Sequence, residues 1–367
     1  MKKAYRLLLR AGSVVGGGLA ILILGLGAPV AWTEATCRGT VVPQEEPQHL
    51  TTAQDQRPEA RTFLTYPEWH VVYAYEELGQ VLAGGDPHDF GYWPAVTGFW
   101  SALCAVKEEA DKLGNAGFDA KATIYTVGAS FTLEMLAKAA YEETLGRLAL
   151  LLSPATEGAK EPSSQDEVET RMAQSYGSFL HQTPWYRFDF EAWTGKLWEV
   201  PVNAALRSWE RRLAVGLEWR AKSAYAGLIE SAAGAMGADK TEMKIHVTGL
   251  TPDQISLLGE GVLQAEGDQD QGAILTVSRY RTFTRAAEAI AAAGGDFTEI
   301  AGNDDILVSL LAANDPELPE GARLLRRIDR QGSADSRLLV AVKVSGLADL
   351  IRSLPASGAS LEHIYDY

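Results

Sequence analysis

The sequence predicts an α+β protein behind an N-terminal transmembrane helix: an aromatic-rich all-α domain comes first, then a C-terminal α+β domain with the element order of a ferredoxin-like sandwich. Three observations predict it. Residues 11–32 carry no charge, apolar residues then recur at helical spacing to about residue 235, and beyond residue 240 short β-branched runs alternate with helical ones. All nine tryptophans lie at or before Trp219, a shift in composition that places a boundary in the Gly/Ala-rich stretch Ala232 to Asp239. The expected organisation is a cytoplasmic tail over 1–10, a span over 11–32, a stalk over 33–61, a helical domain over 62–235 and an α+β domain over 240–367.

At 1.5 Å per residue, about 20 apolar residues cross a bilayer core of about 30 Å, which the run from Ala11 to Trp32 supplies. Lys2, Lys3, Arg6 and Arg10 precede it, and Glu34, Glu45, Glu46 and Asp55 outnumber Arg38 and Arg57 after it. The positive-inside rule then puts the N-terminus in the cytoplasm and the bulk of the chain in the periplasmic or extracytoplasmic space. A cleaved signal peptide shares the charged start but has an apolar core of only about 7–15 residues; a cut near Ala28 or Ala31 would change the anchoring, not the compartment. Gly12, Gly16 and Ala20 recur every four residues, a spacing that lets two spans approach as a homodimer.

The 367 residues suffice for two ordinary domains, and 46% hydrophobic with 22% charged residues describes a folded chain. A formal charge of -15 argues against a nucleic-acid partner, because phosphate backbones select basic surfaces. There are two cysteines, Cys37 and Cys104; in an oxidising compartment they can pair and tie the stalk to the first domain, and a free buried Cys104 is the alternative.

Along the chain, Thr65-Tyr66-Pro67-Glu68 has the form of a capping box, and Val71, Tyr75, Leu78 and Leu82 follow at helical spacing. Gly84 to Pro87 end that helix. Trp93–Leu113 and Thr123–Leu152 predict two more, the second closed by Ser153-Pro154. Ser164 to Glu167 start a fourth, through His181, and a last helix covers Asn203 to Ser231. In the C-terminal part, strands are expected at Lys244–Val247, Ala273–Tyr280, Phe297–Ile300, Ile306–Leu311, Leu338–Val344 and Leu361–Tyr365, with helices at Thr282–Ala293 and Leu347–Leu354. The stretch from Ala273 to Tyr365 reads as one strand-helix-strand, strand-helix-strand unit.

No stretch has the specificity of a catalytic or metal motif, so neither a metal nor a cofactor is expected. Asp86-Pro87-His88-Asp89 could ligate a metal but reads more simply as a solvated turn. Glu134, Lys138 and Glu142, with Glu143 and Arg147, read as an exposed stripe of i,i+4 ion pairs. Arg207, Arg211, Arg212, Arg220 and Lys222 make the last helix basic; ion pairing against the acidic first helices is favoured over a membrane-surface role. His70 and His181, with Glu68, are the candidate acid-base set of an enzyme, provided that the fold brings them together. Trp69, Tyr73, Trp100 and Trp185 are the candidate lining of an apolar cavity.

Read together, Thr65 to His70, Gly98-Phe99-Trp100-Ser101, Pro184-Trp185-Tyr186 and Glu362 to Tyr367 give the chain its likeness: it resembles a family of uncharacterised bacterial single-span membrane proteins with an exported helical domain. The resemblance implies a bacterial envelope location and no activity. Three functions are consistent with all this. The first is a non-enzymatic accessory or scaffold that binds another protein; the second is a lipid or apolar small-molecule binder; the third, away from which the missing motifs lean, is an enzyme with a His/Glu site.

Overall fold

The structure is a computed structural model describing residues 25–42, 50–114, 116–153, 163–202, 206–236, 241–259, 261–266 and 272–365. It is α+β, with a helical N-terminal region and antiparallel sheets at the C-terminus. The first part of the expected span and Gly12, Gly16 and Ala20 lie outside the described residues; within them no helix is long and apolar enough to cross a membrane.

A helix over residues 25–36 (α1) opens the described chain. It is followed by α2 (Glu59–Phe63), α3 (Tyr66–Gly84), α4 (Tyr92–Leu113), α5 (Phe118–Tyr141), a π-helical turn over Glu142–Gly146, α6 (Arg147–Leu152), α7 (Ser164–Leu180), α8 (Phe190–Glu199) and α9 (Leu206–Met236). The capping box expected at Thr65 does not form. Residues 59–63 are already helical, so the Thr65 hydroxyl donates back to the Thr62 carbonyl. The box at the start of α7 forms one residue earlier than its sequence suggested, between Ser163 and Asp166. Helices α3 and α7 cross closely at a glycine: a Cβ on Gly177 would stand 2.6 Å from Glu76 Cγ.

The stretch over 33–61, expected as an irregular stalk, is docked wherever it is described. Thr33 and Cys37 are fully buried, Cys37 is bonded to Cys104, and Lys107 donates to the Cys37 carbonyl at 2.8 Å. Further on, the Thr51 amide donates to Glu299 and the Arg57 amide to the Ala301 carbonyl. Composition misled here because the docking uses backbone groups, which every residue has.

Two four-stranded sheets follow. The first comprises β1 (Glu242–Thr248), β2 (Val262–Glu266), β3 (Ala273–Ser278) and β4 (Asp296–Ile300), with α10 (Pro252–Ser256) after β1 and α11 (Arg281–Ala292) after β3. The second comprises β5 (Asp305–Ala312), β6 (Arg323–Asp329), β7 (Ser336–Lys343) and β8 (Ala359–Tyr365), with α12 (Val344–Ser357) after β7. The orders are β2-β3-β1-β4 and β6-β7-β5-β8, antiparallel throughout. Counted within each sheet the order is the same, second-third-first-fourth. The single unit expected over 273–365 is corrected: that stretch holds the end of one such sheet and all of a second.

Helices α11 and α12 lie between the sheets and touch both. On β5 and β7, Ile306, Val308, Leu338 and Val340 face this layer, while Leu307, Leu339 and Ala341 face the helical region. A strand buried on both faces cannot alternate apolar with polar, which is why these two read as continuous hydrophobic runs.

Candidate functional site

Helix α3 presents two stripes to two different surroundings. Tyr66, Trp69, Tyr73 and Glu77 face the second sheet: Tyr66 packs edge-on to Tyr365, Trp69 lies 3.7 Å from His363 between ring centroids, and the Tyr73 and Tyr365 hydroxyls meet at 3.2 Å. Glu77 is ion-paired with Arg337 on β7 at 3.1 Å. Thus Tyr66 and Trp69 of the first quoted stretch meet His363 and Tyr365 of the last across one buried seam.

That seam is solid where the sequence reading placed a cavity. Trp69, Tyr73 and Trp100 are core residues, Trp100 donating to Thr132 Oγ1 at 2.9 Å. Trp185 stacks on Tyr225 with centroids 5.4 Å apart. None of the four lines the larger cavity, because their positions on α3, α4 and the turn before α8 face the core or α9 instead.

The acid-base set does not assemble either. His70 is buried; its Nε2 lies 3.0 Å from the Ala95 carbonyl oxygen, to which it must donate, leaving Nδ1 to accept from Tyr66 at 3.3 Å. Burial lowers its pKa from 6.5 to about 4, so it is neutral. His181 instead contacts Glu76 at 2.5 Å and the edge of Trp69, and Glu68 is exposed. A space of about 40 Å³ beside His70 is shared with Glu77, Gln331 and Arg337.

The larger cavity, about 260 Å³, lies between α3, α5, α7 and α9. The second stripe of α3, Tyr75, Leu78 and Leu82, forms one wall; Met172, Ala173, Val215 and Trp219 supply more apolar surface. At one end sits a ring of alternating charge. Lys138 lies 3.5 Å from Glu134 and 3.0 Å from Glu218; Lys222 lies 2.8 Å from Glu134 and 3.1 Å from Glu218. Tyr75 closes the ring, its hydroxyl donating to Glu134 and accepting from Lys222 at 2.6 Å. The ring is deep in the protein, yet 15% of the Lys222 side chain and 17% of the Lys138 side chain stay open, toward the cavity.

Electrostatically the ring is self-neutralising. Burial pushes the Glu134 carboxyl up, but Lys222 and Lys138 outweigh it and hold it at about 2. For both lysines burial works against the charge and the two carboxylates outweigh it, so each is held above its usual range. The four groups therefore stay ionised across the physiological range. Of the stripe expected to be exposed, Glu143 and Arg147 do form an exposed i,i+4 pair, whereas Glu134 and Lys138 make the polar end of a cavity.

At the other end, Arg207 contacts Asp86 at 2.8 Å, Glu142 at 2.6 Å and Glu210 at 3.0 Å, while Arg211 contacts Asp166 and Glu169, each at 2.7 Å. This is the ion pairing of the basic helix that the sequence favoured. Burial would raise Asp86, but Arg207 and Arg211 hold it at about 2, and His88 bridges Asp86 and Asp89 at 3.1 and 3.3 Å. Those carboxylates are engaged internally. Among the described residues, one group could gather ligands for a metal, Cys37, Cys104 and Glu108, and both sulfurs belong to the disulfide.

No family model matches the chain, and no curated protein or solved structure is similar to it. What the sequence did carry for this site was a repeated signal. Glu134/Lys138 and Glu218/Lys222 have the same i,i+4 order on two helices, and the first pair stands in the apolar run Phe131-Thr-Leu-Glu-Met-Leu-Ala-Lys-Ala-Ala. An exposed ion pair rarely has such neighbours.

Proposed function

We propose that this chain is a membrane-tethered, extracytoplasmic binding protein that holds a compact apolar or amphiphilic small molecule in the cavity between α3, α5, α7 and α9. The tether is the uncharged run over 11–32, and its cationic N-terminal flank orients the rest away from the cytoplasm. The disulfide between Cys37 and Cys104 supports that location, because such bonds persist in oxidising compartments.

The cavity carries the functional reading. The cavity is open on one side, and its lining joins a wall of apolar side chains to a few convergent polar groups at one end, the composition of a small-molecule site. Its volume lies just under the usual range of about 300–1,000 Å³ for ligand pockets, which suits a small ligand with an apolar body. The charge ring satisfies itself, so it orients a polar end of the ligand without demanding a net charge. Organic extraction of the full chain purified from its membranes, followed by mass analysis of the extract, tests this. A stoichiometric small molecule supports the reading, and an extract holding only bulk lipid and detergent argues against it.

A further inference from the structure

We propose that the outer face of α5, α6 and α9 rests on the lipid bilayer that anchors the chain, so that the cavity opens toward lipid. This rests on the membrane-tethered reading of residues 11–32.

The face is set by helix geometry. Contacts between α5–α6 and α9 run in opposite senses along the two: Ser153 and Glu142 meet Arg207, Lys138 meets Glu218, and Glu134 meets Lys222. The helices are antiparallel. On each, the residue one position before an inward-facing one is exposed and apolar: Leu133 before Glu134, Leu148 before Ala149, Leu206 before Arg207, Trp209 before Glu210, Leu217 before Glu218. In an antiparallel pair the same offset puts both rows on the same side. The residues one position after, Met135 and Trp219, are buried on the opposite side. Exposure along the face is high, at 52% for Leu148, 82% for Leu151, 58% for Leu213 and 71% for Leu217. Contiguous apolar area of this kind marks an interaction site. Glu143 and Arg147, the charges at its edge, pair with each other at 2.6 Å.

The occupant follows from the tether. Trp32, the end of the uncharged run, is followed directly by Thr33, which is fully buried, and four residues later by Cys37, which is sealed against α4 by its disulfide. Helix α1 carries the end of the uncharged run into the body, with Val30 packed against the core and Thr33 buried, so no spacer intervenes and a span formed by that run holds the body directly against the bilayer. An apolar face carrying a tryptophan, on a body so held, seats in the interfacial layer as an amphipathic helix does. Ala137, exposed on this face, also lines the cavity, as do Tyr141 and Ala214 beside it. The mouth therefore opens on the membrane side, and the ligand class it admits is one dissolved in the bilayer.

Photo-crosslinking tests this on the full chain reconstituted into phosphatidylethanolamine/phosphatidylglycerol vesicles. A benzophenone side chain is placed at Leu213, at Leu151, or at Leu257 as a control; Leu257 is 82% exposed but follows α10. Adducts one phospholipid heavier at 213 and 151, at least tenfold over 257, are expected. Adducts to a second copy or another protein, equal labelling at 257, or none at 213 and 151 overturn the proposal. Alkaline carbonate extraction of the same vesicles separates the two readings. A chain that resists extraction but gives no lipid adduct sinks the face alone, and a chain that is extracted sinks the tether and the proposal with it.

Discussion

The guanidinium of Arg337 lies 3.7 Å above the ring centroid of Tyr73, and so joins β7 to α3 through two fully buried side chains. Its other atoms are fully engaged: Nε and Nη2 reach the two Glu362 oxygens at 2.6 and 2.8 Å, and Nη1 reaches Glu77 at 3.1 Å. Replacing it strands two buried carboxylates. Arg337→Leu is expected to cost about 3–5 kcal/mol, and Arg337→Lys to recover less than half of that because an ammonium cannot match the planar fork. The urea midpoints of the two variants check this.

The disulfide between Cys37 and Cys104 closes a loop with a sequence separation of 67, for which chain entropy gives about 4 kcal/mol. The Cys37→Ser/Cys104→Ser double variant is expected to melt at a temperature the reductant no longer changes. The unsubstituted chain should drop to a similar value when reduced. Calorimetry with and without reductant measures both.

Burial holds His70 at about 4, well below its value in the unfolded chain. His363 is depressed in the same direction, by burial first and then by its neighbours His181 and Arg281. Since the unfolded state binds the protons more readily, the stability from neutral His70 is fully present above about pH 6.5 and is lost as pH falls toward 4, to a total of roughly 3 kcal/mol. Denaturant midpoints measured between pH 7.5 and 4.5 should fall steadily. In His70→Phe the fall should be shallower by about one proton's worth of slope.

Lys222→Met removes half the positive charge of the ring and leaves Glu134 and Glu218 to share Lys138 alone. A loss of about 3 kcal/mol is expected. Lys222→Met combined with Glu134→Gln should lose less than the single variant, a coupling that a double-mutant cycle resolves.

The sequence made legible what local pattern controls. The bounds of α4 and β5 follow from periodicity, because each residue's neighbours along the chain decide them. Strands β2 and β6 were missed for a shared reason: both are edge strands with a register shift, between Val262 and Gln264 and between Leu324 and Arg326, and β6 carries Arg323, Arg326 and Arg327. Edge position and a bulge erase the alternation by which a strand is recognised. The cavity was illegible for a different reason. It depends on Lys138 and Lys222 meeting the same two carboxylates across antiparallel helices, which spacing within either helix cannot disclose. Of the four aromatic positions expected to line a cavity, Trp69, Tyr73 and Trp100 are buried and Trp185 is partly buried, but they sit on the other stripe of α3 or beyond it.

Native mass spectrometry of the full chain released gently from its own membranes, beside the Ala214→Phe variant in which a ring occupies the cavity, tests the binding reading most directly. The account predicts one small-molecule adduct on the unsubstituted chain and none on the variant, with both equally folded by circular dichroism. Bare protein in both cases, or the same adduct on both, would contradict it.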